Sequence, residues 1–130
     1  QDQAISILNA KMAEYTKAVL TGRDNFHIAL IVDVSPYCDC HAENDAPILP
    51  DIGMFASKDP VALDQACADM CLKAEPIRNS VLGDHMHAHG FHDHHDHFKN
   101  TTPESEWETQ LIHGEKIGLG TRHYDLIFMK

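Results

Sequence analysis

Ile5, Leu8, Met12, Tyr15 and Val19 recur three and four positions apart, the spacing that lines one side of an α-helix. The pattern predicts an amphipathic helix over residues 3–20 with this stripe in the core and Lys11, Glu14 and Lys17 in water. Thr21-Gly22 supplies the stop, because glycine tolerates the left-handed conformation that closes a helix. The next stretch has a different period. From Phe26 to Val34 both alternating sets are apolar and the later residues are largely β-branched, which predicts a central strand covered on two faces.

Ser35-Pro36 ends that strand, so the segment around Cys38 is expected to emerge at its carboxyl end, where open α/β sheets gather ligands. Pro47 and Pro50 bracket a connector that cannot be helical. Ile52-Gly53-Met54-Phe55-Ala56 reads as a short buried strand. Asp59-Pro60 then reads as a cap followed by proline at the first helical position, opening a helix that runs to Lys73 with Leu63, Ala66, Cys67, Met70 and Cys71 inward. Glu75-Pro76 closes it. Residues 84–98 lack apolar periodicity and are expected as a loop; Thr102-Pro103 opens a last helix carrying Trp107 and Leu111, ended by Gly118 and Gly120. Tyr124-Asp125-Leu126-Ile127-Phe128 reads as a final strand, at an edge because Asp125 and Lys130 are hard to bury in the middle of a sheet.

These elements predict an α/β fold, a small two- or three-layer domain with a short, largely buried sheet and about three helices. A chain of 130 residues is expected to form one domain over residues 1–130, with the histidine-rich loop at 84–98. Ten basic against twenty acidic residues give a net charge of -10. That excludes a nucleic-acid backbone or an anionic membrane as the natural partner and favours cations. No apolar run reaches the roughly 20 residues that span a bilayer, and Gln1-Asp2-Gln3 has no basic leader. The four cysteines are too close within their pairs to staple a fold, so reduced thiols and a cytoplasmic setting are expected. A start without methionine suggests a processed or excised piece.

The candidate chemistry centres on Cys38-Asp39-Cys40-His41. Thiolate and imidazole are the donors zinc and iron prefer, and a two-residue step in extended chain turns both sulfurs to one side. A tetrahedral ion needs further ligands, and the candidates are Asp45, Asp51, a histidine of the later loop, or Cys67 and Cys71. The latter pair sits four apart on the predicted core face, where cysteine packs as a small apolar residue. Residues 84–97 hold seven of the eleven histidines. His85, His87 and His89 alternate by two, His92 follows, and Asp93 and Asp96 could orient their rings; a loose chelating tract is the competing reading. Asp64 and Gln65 lie in the first turn of the predicted helix, where polar ligands gather. Nucleotide-binding and serine-hydrolase motifs are absent.

The run Cys38-Asp39-Cys40, then Asp45-Ala46-Pro47-Ile48-Leu49-Pro50-Asp51-Ile52-Gly53-Met54-Phe55-Ala56-Ser57-Lys58-Asp59-Pro60-Val61-Ala62-Leu63-Asp64-Gln65-Ala66, resembles the C-terminal part of the family called domain of unknown function 362. Its members are often labelled iron-sulfur centre proteins. Met12-Ala13-Glu14-Tyr15 and the tail from His113 to Ile127 share the resemblance. It implies a piece of a longer α/β domain whose other half, or a redox partner, supplies ligands and sheet neighbours. The C-x2-C-x2-C-x3-C runs of many full-length members do not occur here, so the resemblance implies room for a [4Fe-4S] cluster in a full-length protein and does not lead one to expect it in this piece.

The function expected from these readings is a metal-binding module, for zinc or iron, of an iron-sulfur-associated redox protein. Cys38, Cys40 and His41 are its core ligands, completed by Asp45 or by a ring among His85, His87, His89 and His92. The alternatives are an enzyme whose ion keeps an open position and a histidine-rich metal store.

Overall fold

The longest periodic stretch of the chain folds as the helix α1 (Asp2–Leu20), which stops as expected at Thr21 and at Gly22, whose φ of 75° only glycine adopts without strain. The structure, a computed structural model, describes residues 2–89 and 96–130. After α1 come β1 (His27–Ile31), β2 (Gly53–Ser57), α2 (Pro60–Lys73), α3 (Val81–His89), α4 (His97–Thr101) and α5 (Trp107–Lys116). The α/β class is the one read from the pattern, with five helices among the described residues and one two-stranded antiparallel sheet. The chain forms two compact units, one of Gln1–Ala29, Met54–Ala68 and Glu106–Lys130, the other of Leu30–Gly53 and Asp69–Ser105.

In the first unit α1 packs on α5, but not with the stripe the periodicity marks. Ala13 is 1% exposed, while Tyr15 and Val19 are 73% and 62% exposed and Leu8 and Met12 are also open to solvent. The reason lies in what α5 offers. Gly114 is buried there, and a Cβ built on it would lie 3.1 Å from Val61 Cγ2 and 3.9 Å from Ala13 Cβ, so the two helices meet through their smallest residues. Polar side chains flank that contact. Asn9 Nδ2 donates to the Glu106 carbonyl at 2.7 Å, Glu14 Oε1 meets His113 Nε2 at 3.2 Å, and Lys17 donates to the Ile117 carbonyl. Helical period identified the stripe; the partner chose the neighbouring face.

The sheet departs from expectation in the same way. With one neighbouring strand, β1 covers only alternate residues: Ile31 is buried, whereas Ile28 and Leu30 are exposed, Leu30 at 65%, as are the flanking Phe26 and Val32. The sheet is short as predicted but not covered on both faces. The expected strand at residues 124–128 does not form, and Ile127 and Phe128 are exposed in an irregular tail.

The start of α2 is built as its sequence requires. Asp59 Oδ1 accepts from the backbone N–H of Val61 and of Ala62, both at 2.9 Å, and Oδ2 accepts from Thr121 N–H at 2.9 Å. Pro60 occupies the first helical position, where a missing N–H costs nothing. Arg122 extends the same network: Nε donates to Gln65 Oε1 at 2.7 Å, a terminal nitrogen to Glu108 at 2.9 Å, and its backbone N–H to Glu115 Oε2 at 2.7 Å. A Cβ on Gly120 would overlap the Asp59 carboxylate.

In the second unit Ile48, Leu49 and Leu82 are buried. Ser80 caps α3 by accepting from Gly83 N–H at 3.1 Å, and Gly83 itself allows close passage of the Ile77 and Arg78 carbonyls. Residues 84–89, expected as loop, are the body of α3, and residues 97 and 98 begin α4; the intervening 90–95 lie outside the described residues. Asp96 caps α4 through the N–H groups of Phe98 and Lys99.

Asp59→Ala should lower stability in urea by about 1–2 kcal/mol with an unchanged m-value, through loss of the cap and of the Thr121 bond; Asp59→Asn should retain most of it, and Gly120→Ala should mimic the alanine variant. Acid should loosen the first unit. The Arg122 backbone N–H holds Glu115 below the ordinary carboxylate pKa, and Lys11 followed by His113 does so for Glu14. A depressed folded pKa contributes stability that is complete above the unfolded value and is lost as pH falls through the folded one. Thermal melts from about pH 7 to about pH 3 should therefore show a smaller acid-induced loss in Glu115→Gln than in the parent chain.

Candidate functional site

Past β1 the chain turns at Asp33, whose φ of 49° lies in the left-handed region that aspartate tolerates better than most residues. Its N–H donates to Asp51 Oδ1 at 2.9 Å. Ile52 N–H to Ile31 O and Ile48 N–H to Val34 O, both at 2.8 Å, tie the incoming and outgoing strands. These bonds close the neck of a loop over residues 35–47, and buried Pro36, Ile48 and Leu49 anchor its base. Above the base, Tyr37 to Ala46 are all exposed.

Within the loop, Asn44 returns both backbone bonds of Tyr37: Nδ2 donates to its carbonyl at 3.2 Å and Oδ1 accepts from its N–H at 3.4 Å. His41 N–H donates to Cys38 O at 2.9 Å, so residues 38–41 form a turn rather than the extended segment expected. The backbone N–H of Cys40, and then its side chain, holds the Cys38 thiol below its ordinary pKa, while the Cys38 side chain holds that of Cys40 above it. Asp39 opposes thiolate formation in both. Both thiols are exposed to solvent.

The remaining expected ligands are dispersed. The His41 ring lies 5.9 Å from the Tyr37 ring, tilted by 43°, with Nδ1 3.8 Å from Glu43 Oε1. Asp45 is exposed and bonds to the N–H of Ala46 at 2.7 Å. His85 lies on α3 with Nδ1 3.0 Å from the Asn100 carbonyl, while His87, two residues on, points about 200° around the helix. The alternation that would align these rings in extended chain separates them in a helix. His89 ends α3, and His92 lies outside the described residues. Among the described residues no three His, Cys, Asp or Glu side chains are gathered as ligands of one ion.

Cys71 is buried, and burial pushes its thiol pKa up, as expected of a cysteine used for packing. Asp64 keeps an exposed surface, yet the protein around its carboxyl raises its pKa against the opposing charge of His27; the exposed edge moderates that effect. Gln65 is buried and committed to Arg122. The residue sequence reading overlooked is His97. It is 1% exposed, Nε2 lies 2.9 Å from the Ala74 carbonyl, and Nδ1 has no partner among the described residues. One buried ring in a tract of seven carries no signal of its own.

No curated protein and no solved structure matches the chain. No helix among the described residues is long and apolar enough to cross a membrane. The family described as domain of unknown function (DUF362) matches residues 1–69, just over half of the 130 residues; the match takes in α1, the sheet, the thiol loop and most of α2, and does not reach the histidine tract or the tail. The chain that carries this thiol loop belongs to the DUF362 family.

Proposed function

We propose that the chain is a metal-binding module that holds one thiophilic divalent cation, zinc or iron, on Cys38 and Cys40, as part of a redox protein. The observation that carries this reading is the pair of exposed thiols two residues apart in a tight turn. Two thiolates carried side by side on one loop are donors that such a cation takes up with release of their protons. The donor chemistry fits zinc or ferrous iron better than magnesium or calcium, which prefer oxygen.

His41 is the nearest imidazole in sequence and is exposed, so rotation about its side-chain bonds brings it to the ion at the expense of its contacts with Tyr37 and Glu43. The fourth position belongs to Asp45, to water, or to a ring of the histidine tract. The dispersal of these groups supports a site that tightens around its ion rather than a preformed cage. A neck closed by backbone bonds leaves the loop free to do so without disturbing the buried base.

Protein purified without a metal-affinity step should bind about one Zn2+ per chain in competition with a chromophoric chelator. Cys38→Ala/Cys40→Ala should weaken that binding by more than about tenfold, since even groups behind the ligands are worth that much. Binding unchanged in the double alanine variant, and lost instead when His85, His87, His89 and His92 are replaced by glutamine, would transfer the function to the histidine tract.

A further inference from the structure

We infer that Cys38 and Cys40 also form a reversible dithiol–disulfide couple that reacts with low-molecular-weight disulfides. The inference rests on the same sulfurs as the metal reading but does not require an ion. Two consecutive residues of fully extended chain span at most about 7 Å, and a disulfide needs Cα atoms within roughly 4.4–6.8 Å. The turn closed by His41 N–H and Cys38 O shortens the Cys38-to-Cys40 path from its extended limit and brings it into that range. Bond formation therefore asks for little movement of the backbone.

Access and isolation complete the argument. Both thiols are exposed, so a small disulfide reaches them. Cys71 is buried and Cys67 half-buried, which leaves the loop pair as the accessible dithiol of the chain. The loop is tied off at its neck by Ile48 N–H to Val34 O and Ile52 N–H to Ile31 O, so closing a ring at its tip leaves these bonds in place.

Either thiolate opens the same exchange; in one order Cys38 is the sulfur that attacks first. Its electron pair forms a bond to one sulfur of the disulfide RSSR and expels RS−, which takes up a proton. Cys40 then gives up its proton and attacks the Cys38 sulfur, breaking the mixed disulfide and expelling a second RS−. The net change is dithiol plus RSSR to intramolecular disulfide plus two RSH: the protein loses two electrons and two protons, and the small disulfide gains them. The oxidised pair has no thiolate left to bind a cation, so oxidation and metal binding exclude each other.

The test uses the full chain and oxidised glutathione, with alkylation at fixed pH followed by peptide mass analysis. The expected product is a Cys38–Cys40 disulfide, seen as the loss of two hydrogens from that peptide, with Cys67 and Cys71 still alkylated and with recovery of both loop thiols on reduction. Cys40→Ser should stop at a glutathione adduct on Cys38. Prior loading with Zn2+ should slow closure, and closure should abolish Zn2+ uptake. A pair that remains alkylatable in excess oxidised glutathione, that stops at two separate glutathione adducts, or that links to Cys67, to Cys71 or to a second chain would overturn the inference. Closure in a protein that binds no Zn2+ would leave the couple standing and remove the metal reading, and Zn2+ binding without closure would do the reverse.

Discussion

The Asp59 carboxylate joins the start of α2 to the segment after α5, and the first unit depends on that junction. One oxygen meets two N–H groups that the helix cannot satisfy itself; the other meets the backbone of Thr121. Gln65, Glu108 and Glu115 then accept from three donors of Arg122. The segment after α5 is thus held at its root by polar bonds, while the apolar side chains of Ile127 and Phe128 are exposed. Asp59 lies in the stretch that matches the family, whereas Thr121 and Arg122 lie beyond it.

What the residues revealed in advance follows the range of the forces involved. Caps and stops act within a turn or two, and the ends of α1 and the beginning of α2 were legible from Gly22, Asp59 and Pro60. The covered face of α1 was not, because that choice was made by Gly114 and the polar groups of α5, about a hundred residues away. The histidine tract misled for a related reason: a cap at Ser80 and a tight passage at Gly83 start α3 in a segment whose composition lacks a helical stripe.

The candidate site was legible in the same measure. Cys38 and Cys40 were identifiable from spacing, and they lie in a turn closed by His41 and not in extended chain. Where the His41 ring points could not be read, since it is decided by Tyr37 and Glu43 within a loop whose shape Asn44 sets by returning the Tyr37 backbone bonds.

The outward stripe of α1 bears on how copies of this molecule behave in a crowd. Leu8, Met12, Tyr15 and Val19 present a continuous greasy line at the surface, and in water such lines adhere to one another. Against that adhesion stands a shared surplus of negative charge, -10 with an isoelectric point of about 5.4. The repulsion weakens wherever protons or salt remove it, while the stickiness of the helix persists.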